Sequence, residues 1–299
     1  MSVAHRQRQT QFAADRVFPI VPVQNDSGTY PVYTRSYWLL NAMEQRAYGA
    51  AHGRTDYAIT TDTYATLQYS LEHPIPDETA AAAVTPIDLD RDGMIFLTQQ
   101  MLLRREIDFS ASFMADSVWT HTGSKTASWS TYTTSTPVSD VAGAMETLLG
   151  YGVPGDMDIV MVCGQIVWSA MADHPDLLDR IKYTERASIS RLRGALADIF
   201  GVREILVSSA AYNSAAEGAT ESLADIIDDD LLVIYSPQEA GLHTACGGKT
   251  FVWGPGGGAG TMYRYYEDQV ESTILRIKTQ YDQKATNADA GVWFKDVTD

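Results

Sequence analysis

The residues able to do chemistry are few and scattered. Six histidines, His5, His52, His73, His121, His174 and His243, include no pair four residues apart. A helical zinc site needs that spacing, and a zinc ribbon needs closely spaced cysteine pairs. Only Cys163 and Cys246 are present. Cys163 ends an apolar run and precedes Gly164, a turn that could present a nucleophile. No histidine follows at a motif spacing, and no Gly-x-Ser-x-Gly occurs. Gly254-Pro-Gly-Gly-Gly-Ala-Gly260 invites a phosphate-cradle reading, but it lacks the closing Gly-Lys-Ser/Thr, and strand-like residues follow it in place of a helix. A hairpin tip is the better reading. Asp225, Asp228, Asp229 and Asp230 are the nearest metal-like cluster. They lack the glycine-punctuated alternation of a calcium loop, which leaves solvated acids or a cation shared around a symmetry axis. The sequence therefore offers no catalytic, cofactor-binding or metal site, and a chain this long without a convergent reactive set reads as structural.

The elements that frame these residues are more informative. Of 299 residues, 45% are hydrophobic, a globular composition. The length suits one large domain or two lobes. Lys and Arg number 22 against 38 Asp and Glu, a net charge of −16, so gripping nucleic acid is not the main task, because phosphate contacts need cations. Two cysteines cannot build a disulfide framework, and both read as reduced and buried. Residues 1–16 contain no signal-type apolar run, and no stretch approaches the ~20 apolar residues of a membrane span. Synthesis and assembly in a cytoplasm are expected.

Charge is unevenly spread. Residues 1–16 carry Arg6, Arg8 and Arg16 against Asp15 alone. Arg180, Lys182, Arg186, Arg191 and Arg193 crowd one short stretch. Between Arg203 and Lys249 stand eight acids and no Lys or Arg. Either both runs are solvated faces, or one copy's basic stretch meets a neighbour's acidic one.

Along the chain, residues 1–16 read as a flexible arm, and Val17-Phe-Pro-Ile-Val-Pro-Val23 as an extended strip that must lie on a core. Thr29 to Tyr37 alternates like a strand. Gln45 to Leu71 is a Thr/Tyr-rich ribbon with too few aliphatics for a core of its own. Its Tyr57, Ile59, Thr61 and Thr63 share one face, and an extended pattern continues from Tyr64 to Ser70. Asp88 opens a helix of ~28 residues, roughly 40 Å, with Ile95, Leu102, Phe109 and Phe113 on one face, widened by Leu103, Ile107 and Met114. Trp119 to Thr136 reads as irregular. A helix starts at Pro137 with Val141, Ala144, Met145 and Leu148 inward. Buried strands are expected at 157–163, 205–207 and 231–235, with helices at 165–173 and 189–200, which together make an α/β lobe. Phe251 to Trp253 and Thr261 to Tyr266 read as a hairpin, Glu271 to Tyr281 as a long half-buried strand, and Ala290 to Phe294 as a last strand.

With these residues in order, the chain resembles the major capsid proteins of tailed double-stranded-DNA bacteriophages. Arg16-Val-Phe-Pro-Ile-Val-Pro-Val23 looks like that family's N-terminal arm. Glu44-Gln-Arg-Ala47 through Tyr64 is similar to its extended loop, and Leu89-Asp-Arg91 through Leu102-Leu-Arg-Arg-Glu106 to its spine helix. Trp129 with Thr134-Ser-Thr-Pro137, and Val153-Pro-Gly-Asp-Met-Asp-Ile159, resemble the approaches to its axial lobe. The resemblance implies an α+β fold with an N-terminal arm (1–40), an extended β-hairpin loop (41–74), a peripheral lobe (75–134, spine helix about 88–116, and 265–299) and an axial α/β lobe (135–264).

It also implies a structural, non-enzymatic protein that assembles into hexamers and pentamers of an icosahedral head enclosing DNA, located in the virion, with no cofactor and no membrane. Expected partners are further copies of itself, a separate scaffolding protein and a portal, with a decoration protein left open and DNA contained without tight specific binding. Subunit contacts are expected at Arg16, Phe18, Arg54, Tyr57, Arg180, Arg191, Arg193, Asp228, Asp229 and Asp230. Some relatives cross-link through a lysine on the extended loop. None of this chain's six lysines lies within Gln45 to Leu71, so no such cross-link is expected. An encapsulin-type bacterial compartment shell and an α/β enzyme or small-molecule binder are the alternatives.

Overall fold

The computed structural model describes residues 11–33, 35–82, 88–154, 158–181, 189–216, 218–254 and 260–298. Among the described residues, two five-stranded sheets, two two-stranded ribbons, one long helix and shorter helices make the architecture. The elements in chain order are α1 (Ala14–Val17), β1 (Ile20–Val23), β2 (Ser27–Tyr33), α2 (Arg35–Trp38), β3 (Ile59–Ala65), β4 (Leu67–Pro76), α3 (Asp77–Ala82), α4 (Leu89–Phe113), β5 (His121–Thr122), α5 (Pro137–Gly150), β6 (Ile159–Gly164), α6 (Gln165–Asp173), α7 (Pro175–Ile181), α8 (Ile189–Phe200), β7 (Glu204–Ser208), β8 (Ala211–Asn213), β9 (Leu223–Asp225), β10 (Leu231–Tyr235), β11 (Gly248–Trp253), β12 (Thr261–Glu267), β13 (Ser272–Ala285) and β14 (Gly291–Phe294).

The first sheet runs in the order β5-β14-β10-β6-β7. Strand side chains alternate between faces, and here both faces are apolar. Ile159, Met161 and Cys163 of β6 and Leu231 and Val233 of β10 join Val141, Leu148, Val167, Met171 and Leu196 of the flanking helices in one core. Val160, Val162, Leu232 and Ile234, the alternate residues, join Phe12, Val17, Phe18, Phe109 and Phe113 in another. Burial on both faces is why β6 reads as a continuous apolar run. The irregular stretch after β5 is pinned by Trp129, fully buried, whose Nε1 donates to Asp140 on α5 at 2.9 Å.

The second sheet runs β1-β11-β13-β12, with β4 on the other edge of β13. The long strand β13 is its axis. Its 272–278 stretch pairs with β12, its 281–285 stretch with β11, and β4 lies along 272–281. The expected hairpin of Phe251–Trp253 with Thr261–Tyr266 is therefore not formed. Each strand pairs with β13 instead, because β13 is long enough to take both in succession.

The long helix α4 braces the two sheets. Asp88 caps it, its side chain accepting the Arg91 N–H at 3.1 Å. Its buried stripe is Gly93, Leu97, Met101, Arg105, Phe109 and Phe113, one residue every four. This differs from the face expected around Ile95 and Leu102, both half-buried. The inward stripe carries a glycine and an arginine, which an apolar count skips. A Cβ on Gly93 would come within 2.8 Å of Leu275 Cδ1 and 2.9 Å of His73 Cδ2, so the glycine lets the helix lie directly on β13 and β4.

Strands β2 and β3 form a separate antiparallel ribbon, Ser27 opposite Ala65 through Tyr33 opposite Ile59. Its root is held by Tyr30 and Tyr64, whose rings pack on Phe251 at centroid distances of 5.2 and 4.7 Å. The expected extended pattern from Ile59 to Ser70 is real but serves two structures, since β3 belongs to the ribbon and β4 to the second sheet. The hairpin thus spans 27–65, against the 41–74 expected.

Sheet membership redraws other expected boundaries. β14 pairs with β10, so part of 265–299 lies in the α/β sheet. β11, within 135–264, lies in the β13 sheet. Residues 11–16 are not a free arm in this chain. Phe12, Ala13 and Ala14 are buried beneath the α/β sheet.

Candidate assembly surfaces

The surface most available to a partner is the loop between α2 and β3. Residues 39–58 contain no helix or strand and are exposed throughout. Met43 is 92% exposed, and Leu39, Leu40 and Tyr48 also face solvent. A soluble chain rarely displays such a contiguous apolar set unless something covers it. Arg54 and Tyr57 lie in this loop, both exposed. The ribbon carries the loop between Tyr33 and Ile59, which pair at its far end, while Tyr30 and Tyr64 are buried at its root.

The other expected contact residues divide. Phe18 is not available. It is fully buried, edge-on to Phe109 at 5.1 Å and to Phe113 at 4.6 Å, so its apolar strip fills the chain's own core. Arg16 is exposed but already pairs with Glu204. Arg180 stands exposed in the last turn of α7. Arg191 lies in α8, its side chain outside the described residues, as are Lys182 and Arg186. Arg193 is half-buried, its guanidinium 5.1 Å from the Trp168 ring centroid, and is partly engaged within the chain. Asp228 is exposed, while Asp229 and Asp230 are half-buried.

Asp229 and Asp230 gain a third member that their spacing does not reveal. Asp296 brings its carboxylate within 4.8 Å of theirs, because the Asp296 N–H donates to Asp230 at 3.1 Å and the Val297 N–H to the Asp229 carbonyl at 2.8 Å. Burial raises the Asp230 carboxyl to about 6, and the neighbouring acids add to the shift.

No reactive set converges among the described residues. Burial pushes the Cys163 thiol up to about 12 and Cys246 to about 11. Gly164 is there for clearance, since a Cβ would sit 1.8 Å from the Asp228 carbonyl oxygen. A buried Ser135–His174 contact of 2.9 Å has the wrong polarity for a nucleophile. His174 Nδ1 accepts the Asp176 N–H at 3.3 Å, which assigns the proton to Nε2. That Nε2–H donates to Ser135, whose hydroxyl donates onward to the Thr131 carbonyl at 2.9 Å.

The polar centre that sequence reading missed lies on α4. Glu106 is fully buried and accepts from Ala13 N, Ala14 N at 2.8 Å and Ser208 Oγ at 2.7 Å. Arg105 beside it is 1% exposed, donates to Asp15 at 3.1 Å and Thr279 at 3.0 Å, and lies 5.0 Å from the Tyr281 ring centroid. Together they tie the N-terminal segment, the long helix and both sheets. The only hint in the sequence is two charges interrupting an apolar helical repeat.

With this geometry in place, the fold can be compared with known proteins. No family model matches the sequence, and no curated protein does. Solved structures do match. A phage-related protein from Bordetella bronchiseptica RB50 superposes with a TM-score of 0.73 at 21% identity, over 97% of this chain and 94% of that one. The capsid protein of cyanophage P-SCSP1u gives 0.66 at 13%, over 98% and 90%. A virus-like particle from Pyrococcus furiosus gives 0.53 at 10%, over 94% and 91%. The chain has the mixed α/β fold of phage capsid proteins, over nearly its whole length.

Proposed function

We propose that this chain is a structural shell subunit, the major capsid protein of a phage head. The observation that carries the reading is the exposed apolar loop at 39–58, raised on a ribbon that has no core of its own, in a chain with this fold. Such a loop is explained when a neighbouring copy covers it. The absence of a converging reactive set among the described residues is consistent with a role carried out by contacts alone.

In this reading the subunits form hexamers and pentamers that close around DNA, and the loop, with Arg54 and Tyr57, crosses a neighbour. Arg180 and Arg191 face an adjacent copy's acids, Asp228 to Asp230 among them. A separate scaffolding protein and a portal would be further partners in the host cytoplasm. The acidic balance suits a wall that contains DNA without adhering to it. The compartment-shell alternative rests on the Pyrococcus particle, whose superposition is weaker than those of the Bordetella phage-related protein and the cyanophage capsid protein.

Sedimentation of the purified chain beside a Met43→Asp/Tyr48→Asp variant tests the proposal. The parent should form large particles. The variant should keep its circular dichroism and remain dispersed, because both side chains are exposed in the single chain. Particles of parental size from the variant would remove the loop from the assembly account.

A further inference from the structure

The loop is not simply hung in solvent. Immediately after β2, α2 places Arg35 against residues distant in the sequence. Its guanidinium donates to Asp289, 254 residues away, at 2.9 Å and lies 4.4 Å from the centroid of the Tyr151 ring. Asp289 precedes β14, and Tyr151 caps the C-terminal end of α5, so both adjoin elements of the α/β lobe. The Tyr151 ring is itself backed by His121, at 4.0 Å between centroids. One turn on, Leu39 touches Gly152, where an added Cβ would meet its Cδ1 at 3.1 Å.

These contacts are few, and the ground beneath them is open. A cleft of about 930 Å³, lined by Val32, Tyr57, Tyr151, Pro154, Tyr235 and Cys246, lies between the loop-side end of the ribbon and the lobe. The start of the loop is thus held to the lobe by side-chain contacts at the rim of an open cleft. A planar guanidinium paired with a carboxylate and stacked on an aromatic ring is the arrangement arginine supplies and lysine does not.

We propose that Arg35 is a latch. Its grip on Asp289 and Tyr151 fixes the angle at which the 39–58 loop projects in the free subunit, and the loop is released when a neighbouring copy takes it up. The second half of this statement rests on the shell-subunit reading, while the first concerns the single chain alone.

The test is a distance distribution by pulsed electron spin resonance on the full chain, diluted below its assembly concentration so that it stays single. Spin labels go on Tyr48→Cys in the loop and Leu149→Cys on the lobe. Both positions are exposed, whereas native Cys163 and Cys246 are buried and remain unlabelled. The parent should give one narrow distribution. Arg35→Ala removes both the ion pair and the stack on Tyr151 and should shift the gripped-to-released ratio about tenfold toward release, whereas Asp289→Ala removes the ion pair alone and should shift it about threefold in the same direction. Agreement in direction between the two excludes misfolding peculiar to either. Either variant superimposing on the parent overturns the latch. Sedimentation of the same proteins at assembly concentration reports separately whether shells form, so loss of the shell reading and loss of the latch give different results.

Discussion

The carboxylate of Glu106 accepts the backbone N–H of Ala14 at 2.8 Å in a fully buried site. Ala13 N–H and the Ser208 hydroxyl complete its shell. Burial raises the Glu106 pKa, and these three donors act against that rise. An N-terminal segment that sequence alone presents as a loose arm is thereby fastened to the middle of the molecule. Replacing Glu106 with Leu leaves buried donors unpaired, at about 1–3 kcal/mol each. The variant should lose about 3–5 kcal/mol of stability, whereas Glu106→Gln, which keeps an acceptor, should lose less. Denaturant titration measures both, and equal losses would contradict the donor account.

Asp230 supplies a pH signature. Burial first, then Asp229 and Asp296, push it up to about 6, above the ~3.9 of an unfolded chain. The native state therefore keeps a proton that the unfolded chain has released between about pH 4 and pH 6. This group's contribution is fully present below about pH 4 and is lost as pH rises through about 6. Asp230→Asn still offers Asp296 N–H an acceptor and cannot ionise. At pH 7 it should be more stable than the parent by about 1–2 kcal/mol, allowing for partial solvent screening. Unfolding midpoints should converge near pH 4, and a pH-independent difference would refute the assignment.

Arg180 separates assembly from folding. It is exposed on α7, so Arg180→Glu should change stability by only about 0.5 kcal/mol while impairing particle formation. Arg193 is a poorer probe, since its reversal also removes the stack on Trp168. Normal particles from Arg180→Glu would place the basic stretch on a solvated face.

Any particles should fall to single chains in hot detergent. No lysine stands in 45–71, and Lys249, buried in the β13 sheet, spends its ammonium on the Gly241 and Leu242 carbonyls at 2.9 and 3.1 Å. A ladder of multimers on a denaturing gel would oppose this.

Much of the fold was legible because burial imposes period. β6, β7 and β10 read as apolar runs since helices cover one face and α4 with Phe12 to Phe18 covers the other. α5 and α6 announce themselves by spacing and by Pro137. Strand pairing was less legible. Nothing local tells Thr261–Glu267 to pair with β13 and not with β11, or divides Ile59–Pro76 between a ribbon and a sheet, because partner choice is decided by distant residues. Phe18, expected at a subunit contact, is buried in the chain's own core for a related reason. An apolar strip looks the same whether its own core or a neighbour receives it. Glu106 and Asp296 were invisible as site members since their partners lie 92 and 66 residues away.

The central claim is that copies of this chain close into a shell, and electron microscopy of the purified protein at assembly concentration addresses it most directly. The account predicts closed, uniform icosahedral particles. A field of dispersed single chains that never form particles would contradict it.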